Sequence, residues 1–416
     1  GNYLVFMSST INGYEGTGRA LSLKLIAQLR KQQAQVNDRA AVEAGQSVVG
    51  DKKKKGVHEE RWKAASEVAT GGNRSGTRVL TELSLDTPIR YNANDSVEKW
   101  MNDLLCLDVL SNTTRITTSL PAPNDCDLFL VDRDALFSYH SLSEKLLQRI
   151  WSLYTSAHYK NSPNDLQMLS DAPAHRLFVL LGPTNNNKPD KSGVCLPDIL
   201  CVVQVAFEGH ISQKTVQAEL AKGNKASCDM IPWSISQQYN DTEFATLSGA
   251  RIVRVATHAD VQGMGYGSRA IDLLIQYFQG DIMCMNSNLK IPDIGVFSGE
   301  SGVVVEKDDE GDELKPRVKL PPLLTALHER PAERLHWLGV SFGLTTQLLS
   351  FWARKGFKMN YVRQTQNDIT GEYSCIILRE MKINTIDMPK SSKAILLPEK
   401  WLNNFVDDYR HRMVNL

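Results

Sequence analysis

Residues 251–280 constrain the fold of this chain more than any other stretch. Their sequence is RIVRVATHADVQGMGYGSRAIDLLIQYFQG. The β-branched, apolar run over Ile252–Ala256 predicts a buried strand, and apolar residues recur at helical spacing between Ala270 and Phe278. We therefore predict a strand, then a turn with three glycines, then an amphipathic helix over Ser268–Gln279 that Gly280 ends.

A glycine turn between a strand and a helix is typical of phosphate binding. The first amides of a helix lack partners within the helix, and its dipole adds partial positive charge at that end. Glycines allow the backbone to approach an anion closely. No Gly-Lys-Ser/Thr sequence is present, which excludes a Walker A loop, and no convincing parallel strand follows Asp281 to complete a dinucleotide-binding unit. A glycine-rich turn without a ligand is the remaining alternative.

Composition limits the classes of protein. A length of 416 residues predicts two or three domains, and the balance of 47 basic against 47 acidic residues argues against a wholly basic nucleic-acid-binding surface. No apolar run is long enough to span a membrane, and the opening GNYLVFMSST lacks the features of a signal peptide. Because the first residues already resemble a strand, we expect the chain to begin inside a longer protein. Seven scattered cysteines without a CxxC pair predict a reducing compartment and mostly buried thiols.

The remaining pattern predicts alternating strands and helices. Residues 34–76 are polar and contain Lys52–Lys55, so we interpret them as a solvated loop, with an RNA-contact or nuclear-import patch as the alternative. Residues 281–333 form a long excursion with an acidic run. The other predicted elements are helices over Ser96–Leu110, Leu142–Tyr159, Thr345–Lys355 and Pro398–Val414, and strands over Leu128–Val131, Leu177–Leu181, Ile199–Phe207, Leu335–Ser341, Phe357–Arg363 and Tyr373–Leu378.

Several long segments resemble one family. The spacing Gln-x-x-Gly-x-Gly resembles the pyrophosphate loop of the GNAT acetyltransferases. The segments MSSTINGYEGTGRALSLKL, IRYNANDSVEKWMNDLLCLD, SAHYKNSPNDLQMLSDAPAHRLF, ERPAERLHWLGVSFGLT and RQTQNDITGEYSCIILR resemble the eukaryotic-type RNA cytidine acetyltransferases. That family forms N4-acetylcytidine in small-subunit ribosomal RNA and in tRNA.

The resemblance implies an α/β fold in which a GNAT domain, with a mixed central sheet and flanking helices, follows the end of a RecA-like helicase module. The implied domains are the end of the ATPase module at 1–88, a linker helix region at 89–124, the GNAT domain at 125–390 and the start of an RNA-binding tail at 391–416. The excursion at about 281–333 would be an insertion in the GNAT domain. The ATP-binding Walker A loop would lie upstream of residue 1.

The resemblance also implies the ligand contacts. Acetyl-CoA would be held by a strand edge, the glycine turn and one arginine: Val255, Ala256, Thr257, Gln262, Gly263, Met264, Gly265, Tyr266, Gly267, Ser268 and Arg354. Each position has a physical reason, since a strand edge pairs with amide groups, turn amides bind pyrophosphate and a guanidinium binds phosphate. Arg90 in IRY would contact ATP, with Mg, in the full-length protein. No metal site is predicted in this chain.

His158 is the candidate catalytic residue. The exocyclic amine of cytosine is a poor nucleophile because the ring withdraws its lone pair, so a base that removes the proton assists its attack on a thioester. The alternative is a histidine that caps the end of a helix. Within SAHYKNSPNDLQ we favour catalysis, and we assign structural roles to His175 and His258.

Three functions are compared. The first is an RNA cytidine N4-acetyltransferase of the nucleus and nucleolus. Its expected partners are rRNA, tRNA, a tRNA adaptor protein and the small-subunit pre-ribosome. No membrane is expected, and a homodimer is a candidate assembly. The others are a protein lysine acetyltransferase and an RNA-binding assembly scaffold. A basic, aromatic C-terminal helix with Trp401, Phe405, Tyr409 and Arg410 favours RNA, because cations neutralise phosphates and aromatic rings stack on bases.

Overall fold

The computed structural model describes residues 5–6, 29–30, 32–33, 80–81, 83, 89–92, 94–105, 116, 120–156, 162–183, 197–223, 229–285, 321–367, 371–382 and 400–415. The chain divides into two compact units, with the main division near residue 108. In the N-terminal unit, helix α1 spans Ser96–Leu104. It begins where the Asp95 carboxylate accepts the amides of Val97 and Glu98 at 2.8 and 3.2 Å, so Asp95 caps the helix.

The second unit is built on one mixed sheet. Its strands are β1 (Asp127–Val131), β2 (His175–Leu181), β3 (Ile199–Gly209), β4 (Ser248–Thr257), β5 (Leu324–Ala326), β6 (Trp337–Gly343), β7 (Lys358–Val362) and β8 (Ser374–Glu380). Their order is β5-β1-β2-β3-β4-β6-β8-β7. Among these strands β4 and β6 pair in parallel, and the other neighbours are antiparallel.

Helices cover both faces of the sheet. Those of the second unit are α2 (Arg133–Leu136), α3 (Ser141–Ser156), α4 (Pro163–Asp171), α5 (Gln213–Lys222), α6 (Met230–Tyr239), α7 (Tyr266–Gln279), α8 (Thr346–Arg354) and α9 (Leu402–Val414). On one face, α7 packs across β1–β4 through the apolar stripe that its sequence predicts, and Ala270, Ile271 and Leu274 are fully buried. Burial of such a stripe stabilises the unit by roughly 25 cal/mol per Å² of apolar surface.

On the other face, α3 packs on β3 and β4. The predicted helix is confirmed over most of its length, and its apolar residues Leu146, Ile150 and Tyr154 are at most 1% exposed. The helix ends at Ser156, and the last residues of the predicted span lie outside the described residues. Further along the sheet, α6 and α9 pack against β6 and β8 in a second cluster around Trp337.

Four helices of the second unit, α2, α4, α5 and α6, were not predicted. Helix α4 begins at Pro163, where Ser162 and Asp165 form a capping box, a signal that the sequence carries. Helix α6 contains Pro232 in its first turn and buries the polar Ser236 on the same side as Ile231 and Ile235, so apolar residues alone do not mark its buried side in the sequence.

The structure corrects the account of residues 281–333. These residues are not wholly an excursion, because β5 at Leu324–Ala326 pairs with β1 and forms one edge of the sheet. A strand of three residues is too short to show alternation in the sequence, so only the pairing identifies it.

The structure also corrects the argument from the C-terminal helix. Trp401 is 7% exposed and packs with Phe244 and Phe405, so these rings belong to the core of the second unit. The Arg412 guanidinium lies 4.7 Å from the ring centroid of Tyr239 and donates to the carbonyl oxygen of Gln238. The buried aromatic rings therefore do not offer the stacking platform for bases that the sequence predicted.

Candidate active site

Strand β4 separates from its parallel neighbour halfway along its length. The pairing runs from Gly249 with Trp337 to Ile252 with Val340 and ends there, although β4 continues to Thr257 and β6 to Gly343. On its other side β4 stays paired with β3 as far as Thr257. The second half of β4 therefore presents an edge to a gap between β4 and β6.

A β-bulge marks the point of separation. Gln204 pairs with Arg254 and Val205 pairs with Ile252, which leaves Val253 as an extra residue in β4. The bulge reverses the alternation of side chains: Ile252 and Val255 both pack on the α7 face, although they are three residues apart. Arg254 consequently points to the α3 face, whereas regular alternation from Ile252 would direct it to the α7 face.

The predicted cofactor residues Val255, Ala256 and Thr257 occupy the separated half of β4. The amide of His258 donates to the carbonyl oxygen of Leu200 at 2.9 Å, so the backbone groups of Ala256 also face β3. Those of Val255 and Thr257 then face the gap. The Gln262 side chain donates to the Thr257 carbonyl oxygen at 3.3 Å, which ties the strand to the turn that follows.

The predicted phosphate turn leads directly into α7. Gly263 and Gly265 have φ of +79° and +100°, a region that favours glycine. Gly265 is the N-cap, so α7 begins at Tyr266, two residues before the predicted start. Arg269 makes the first helical bond, to the Gly265 carbonyl oxygen, and the amides of residues 266–268 precede it. Strand edge, turn and amides thus form one continuous surface.

A second segment braces this turn, and the sequence did not indicate it. The Tyr266 hydroxyl donates to the Pro121 carbonyl oxygen at 2.6 Å, and Arg269 donates to the carbonyl oxygens of Asn124 and Cys126 at 3.2 Å each. These bonds join the start of α7 to the residues before β1. They hold the first helical amides in place, which favours binding of an anion without reorganisation of the turn.

The other predicted site residues are placed as follows. Arg354 is the exposed last residue of α8, and the next residue, Lys355, bonds Asp272 of α7 at 2.6 and 2.7 Å. Arg90 is exposed in a bend of the N-terminal unit. His158 lies outside the described residues; α3 ends two positions before it, at Ser156.

The end of α3 is fixed to the bulge by polar residues that the sequence analysis did not select. The Arg254 guanidinium donates to the Tyr154 carbonyl oxygen at 3.0 Å and lies 3.6 Å from the centroid of its ring. The Tyr154 hydroxyl donates to Gln204, whose amide is 2.8 Å from Nδ1 of His175. A glutamine inside the apolar run ILCVVQVAF was the available signal, because a buried amide needs partners.

Histidines and cysteines elsewhere have structural surroundings. Burial, and to a smaller extent the charge of Arg251, lower the pKa of His175 to about 4, so its imidazole is neutral at physiological pH. His258 is buried, and its Nδ1 accepts the amide of Asp260. Burial raises the pKa of the Cys375 thiol to about 12, which leaves it protonated and unsuited to nucleophilic attack.

Within the described ranges, no group of three or more His, Cys, Asp and Glu residues is placed to hold a metal ion. No described helix has both the length and the apolar character needed to cross a bilayer.

The separated parallel pair and the glycine turn at a helix N-terminus fit the GNAT class of acetyltransferases, whose pyrophosphate loop the sequence resembles. The family model GNAT acetyltransferase 2 matches residues 149–382, and the model RNA cytidine acetyltransferase NAT10/TcmA, helicase domain, matches residues 1–108. The chain therefore combines a GNAT fold with a helicase-like N-terminal domain.

Curated relatives specify the family. An RNA cytidine acetyltransferase of Achlya ambisexualis is 51% identical over 378 residues, covering 86% of this chain and 95% of the relative. Those of Mus musculus and Saccharomyces cerevisiae are 48% and 47% identical, covering all of this chain and 37% of each relative. The chain belongs to the RNA cytidine acetyltransferase family and spans just over a third of the mouse and yeast relatives.

Solved structures show a more distant similarity. Arabidopsis thaliana NAA60 in complex with acetyl-CoA is 7% identical, with a TM-score of 0.31, and the match covers 61% of this chain and 98% of that one. The family assignment depends on the sequence relatives.

Proposed function

We propose that this chain carries the acetyl-transfer centre of an enzyme that converts cytidine in RNA to N4-acetylcytidine with acetyl-CoA. The observation that carries the proposal is the surface formed by the separated half of β4, the turn and the first amides of α7, in a member of this family. Acetyl-CoA supplies an acetyl group activated as a thioester.

The surface has groups suited to each part of that molecule. The backbone of Val255 and Thr257 would pair with the pantetheine amides, as an added strand pairs with a sheet edge. Amides 266–268 at the positive end of α7 would hold the pyrophosphate, with Gly263 and Gly265 allowing close approach. Arg354, exposed at the end of α8, would bind a further phosphate of the cofactor.

His158 would act as the base. It follows α3 by two positions in the sequence, and the last turn of α3 is bonded to Arg254, the residue after the bulge. It would remove a proton from the cytosine amine as the nitrogen bonds to the thioester carbon. The C–S bond would then break, and CoA would leave as its thiol after taking up that proton.

The wider role follows from the family. We infer 18S-type rRNA and tRNA as substrates, an adaptor protein for tRNA, a place in small-subunit ribosome biogenesis, and a nuclear and nucleolar location. ATP with Mg would be bound mainly upstream of this chain, with Arg90 contributing one contact. These assignments depend on the mouse and yeast relatives, which are longer proteins that contain a region similar to this whole chain.

The test is mass spectrometry of nucleosides after incubation of the full-length protein with RNA, ATP and acetyl-CoA. We expect N4-acetylcytidine, and His158→Ala should lower its rate of formation by about 10²–10⁴-fold, the usual contribution of a general base. Acetyl-CoA affinity should hold, and the wild-type rate should rise with pH through the titration of the histidine.

His140→Ala is the matched control, because that exposed histidine precedes the other end of α3. It should retain the full rate. The proposal would be overturned by acetylated lysine in place of acetylated cytidine, or by RNA binding without acetyl transfer. If His158→Ala keeps the full rate, a group other than His158 removes the proton from the cytosine amine.

A further inference from the structure

Two consecutive cations at the end of α8 have different surroundings. Arg354, the last residue of the helix, is exposed and makes no hydrogen bond or ion pair with any residue that the structure describes. The side chain of Lys355, the C-cap, is 15% exposed, and its Nζ lies 2.7 and 2.6 Å from the two carboxylate oxygens of Asp272 in α7. One cation is therefore available to a ligand, whereas the other is held between two helices.

The backbone at Lys355 is held as well as its side chain. Arg379 of β8 donates through Nη1 to the Lys355 carbonyl oxygen. Gly356, with φ of +79°, allows this approach, because a Cβ there would overlap the Arg379 guanidinium. Trp352 is 5% exposed and fixes the last turn of α8 in the core beside α7. The end of α8 is thus attached to the sheet, to the core and to α7.

These contacts determine the direction of Arg354. Residues of a helix follow one another at about 100° around its axis, so Arg354 lies about 200° from Trp352. Burial of Trp352 therefore directs Arg354 outward, in agreement with its exposure. Lys355 lies between those two directions and faces α7, where its carboxylate partner is.

The contact with α7 also determines how far Arg354 lies from the phosphate turn. Asp272 follows Tyr266, the first residue of α7, by six positions, which places the ion pair about 9 Å along the axis from the first amides. Those amides would already hold the pyrophosphate. A cation attached further along α7 is suited to a second, separate phosphate, and acetyl-CoA carries one as an ester on the 3′ oxygen of its ribose.

The ion pair has little to contribute to stability. The Asp272 side chain is 45% exposed, so water screens its attraction to Lys355. Among the residues that the structure describes, however, no other hydrogen bond joins α7 to the end of α8. The pair therefore acts mainly on the position of one helix end relative to the other. A ligand that meets a preorganised arginine loses less entropy on binding than one that must order it.

We propose that the ion pair between Asp272 and Lys355 positions Arg354 to bind the 3′-phosphate of acetyl-CoA. Arg354 makes the contact, and Asp272 and Lys355 are positioning residues that do not touch the cofactor. The inference rests on the proposed function, because it takes acetyl-CoA as the ligand and the first amides of α7 as the pyrophosphate site.

Asp272→Asn in the full-length protein is the main test. Asparagine has the shape of aspartate without its charge, so the link to Lys355 weakens. The affinity for acetyl-CoA, measured by isothermal titration calorimetry, should fall about three- to tenfold, the loss expected when one long side chain must be ordered on binding. Charge alone predicts the opposite, because removal of an anion favours a phosphate. Tighter binding, or unchanged affinity, would overturn the proposal.

Lys355 variants and a matched control test the same pair from its other side. Lys355→Met should lower the affinity as Asp272→Asn does, and Lys355→Arg, which can still bond the carboxylate, should restore most of it. Glu219→Gln is the control, because it removes the carboxylate of another lysine pair, 3.1 Å from Lys222 on α5. Its affinity for acetyl-CoA should match wild type. Melting temperatures of all these variants should stay close to wild type.

A second mutation and a second ligand locate the effect. In an Arg354→Ala background, Asp272→Asn should lower the affinity no further. Acetyl-CoA without the 3′-phosphate should bind wild type about tenfold more weakly, the loss expected for one charge-assisted bond. That analogue should bind Asp272→Asn as it binds wild type. Equal losses in both backgrounds, or with both ligands, would overturn the proposal.

Failure of the proposed function would look different. A wild-type protein that does not bind acetyl-CoA would overturn both the function and this inference. Wild-type binding that Asp272→Asn leaves unchanged would overturn this inference alone. If Lys355→Met does not fold, Asp272→Asn carries the same comparison, because its side chain is nearly identical in shape and half-exposed.

Discussion

At the scale of single residues, the glycines of the turn have different physical tasks. Gly263 and Gly265 adopt positive φ, whereas a Cβ on Gly267 would lie 3.0 Å from the Thr257 hydroxyl oxygen. Two glycines therefore shape the turn, and the third allows α7 to start close against β4. The arrangement brings the strand edge and the helix amides onto one ligand-binding surface.

Gly265→Glu should weaken acetyl-CoA binding by about 100-fold or more, roughly 2.8 kcal/mol at 1.4 kcal/mol per tenfold. The new carboxylate would lie where the pyrophosphate is expected and would repel it. Isothermal titration calorimetry measures the affinity. Gly223→Glu is the control, because Gly223 also has positive φ, at +71°, but ends α5 with open space around it. Equal affinity for wild type and Gly265→Glu would contradict the phosphate-turn assignment.

At the scale of secondary structure, α9 completes the core of the acetyltransferase unit. Phe244 lies between Trp337 of β6 and two rings at the start of α9, with ring centroids 5.6–6.1 Å apart; these are Trp401, the cap of the helix, and Phe405 within it. The Tyr239 hydroxyl of α6 also donates to the Phe405 carbonyl oxygen at 3.2 Å. Helices α6 and α9 are therefore coupled in stability through one aromatic cluster.

Trp401→Ala should lower the free energy of unfolding by about 3–5 kcal/mol, the usual cost of removing a buried tryptophan. Urea denaturation measures it. Met413→Ala, on the same helix and 46% exposed, should change stability by no more than about 0.5 kcal/mol. If Trp401→Ala keeps its stability but loses affinity for RNA, the ring stacks on RNA bases, as the sequence suggested.

At the scale of the whole molecule, the two predicted nucleotide contacts belong to different units. Arg90 is in the N-terminal unit, and the acetyl-CoA surface is built on the sheet of the second unit. Arg90→Ala in the full-length protein should therefore reduce ATP hydrolysis by about tenfold, the loss expected for one charge-assisted bond of roughly 1.4 kcal/mol. Acetyl-CoA affinity should be unaffected.

Phosphate-release assays and calorimetry on the same preparation test this separation. Lys99→Ala, which removes a cation from exposed α1 in the same unit, is the control for charge alone. A parallel loss of both activities in a folded Arg90→Ala protein would show that the two ligands share contacts.

The sequence by itself determined the elements and the turn. Regular apolar periodicity over α3 and α7 predicted their buried stripes, and the glycines between β4 and α7 predicted an anion-binding turn, because both signals are local. Long segments were enough to indicate the family to which the chain belongs. Strand β5 is too short to show alternation, and α6 mixes serine with apolar residues on its buried side, so both were missed.

Only the tertiary structure determined how far β4 pairs with β3 on one side and with β6 on the other. The bulge at Val253 and the end of pairing at Ile252 depend on the register with β3 and β6, and register is set by contacts between residues distant in sequence. These contacts turn Arg254 towards α3 and leave Val255 and Thr257 facing the gap. They also buried Trp401, whose pattern alone suggested a surface for RNA. Local spacing determines which residues can form a helix or a turn, whereas the choice of neighbours decides which of them bind, position or pack.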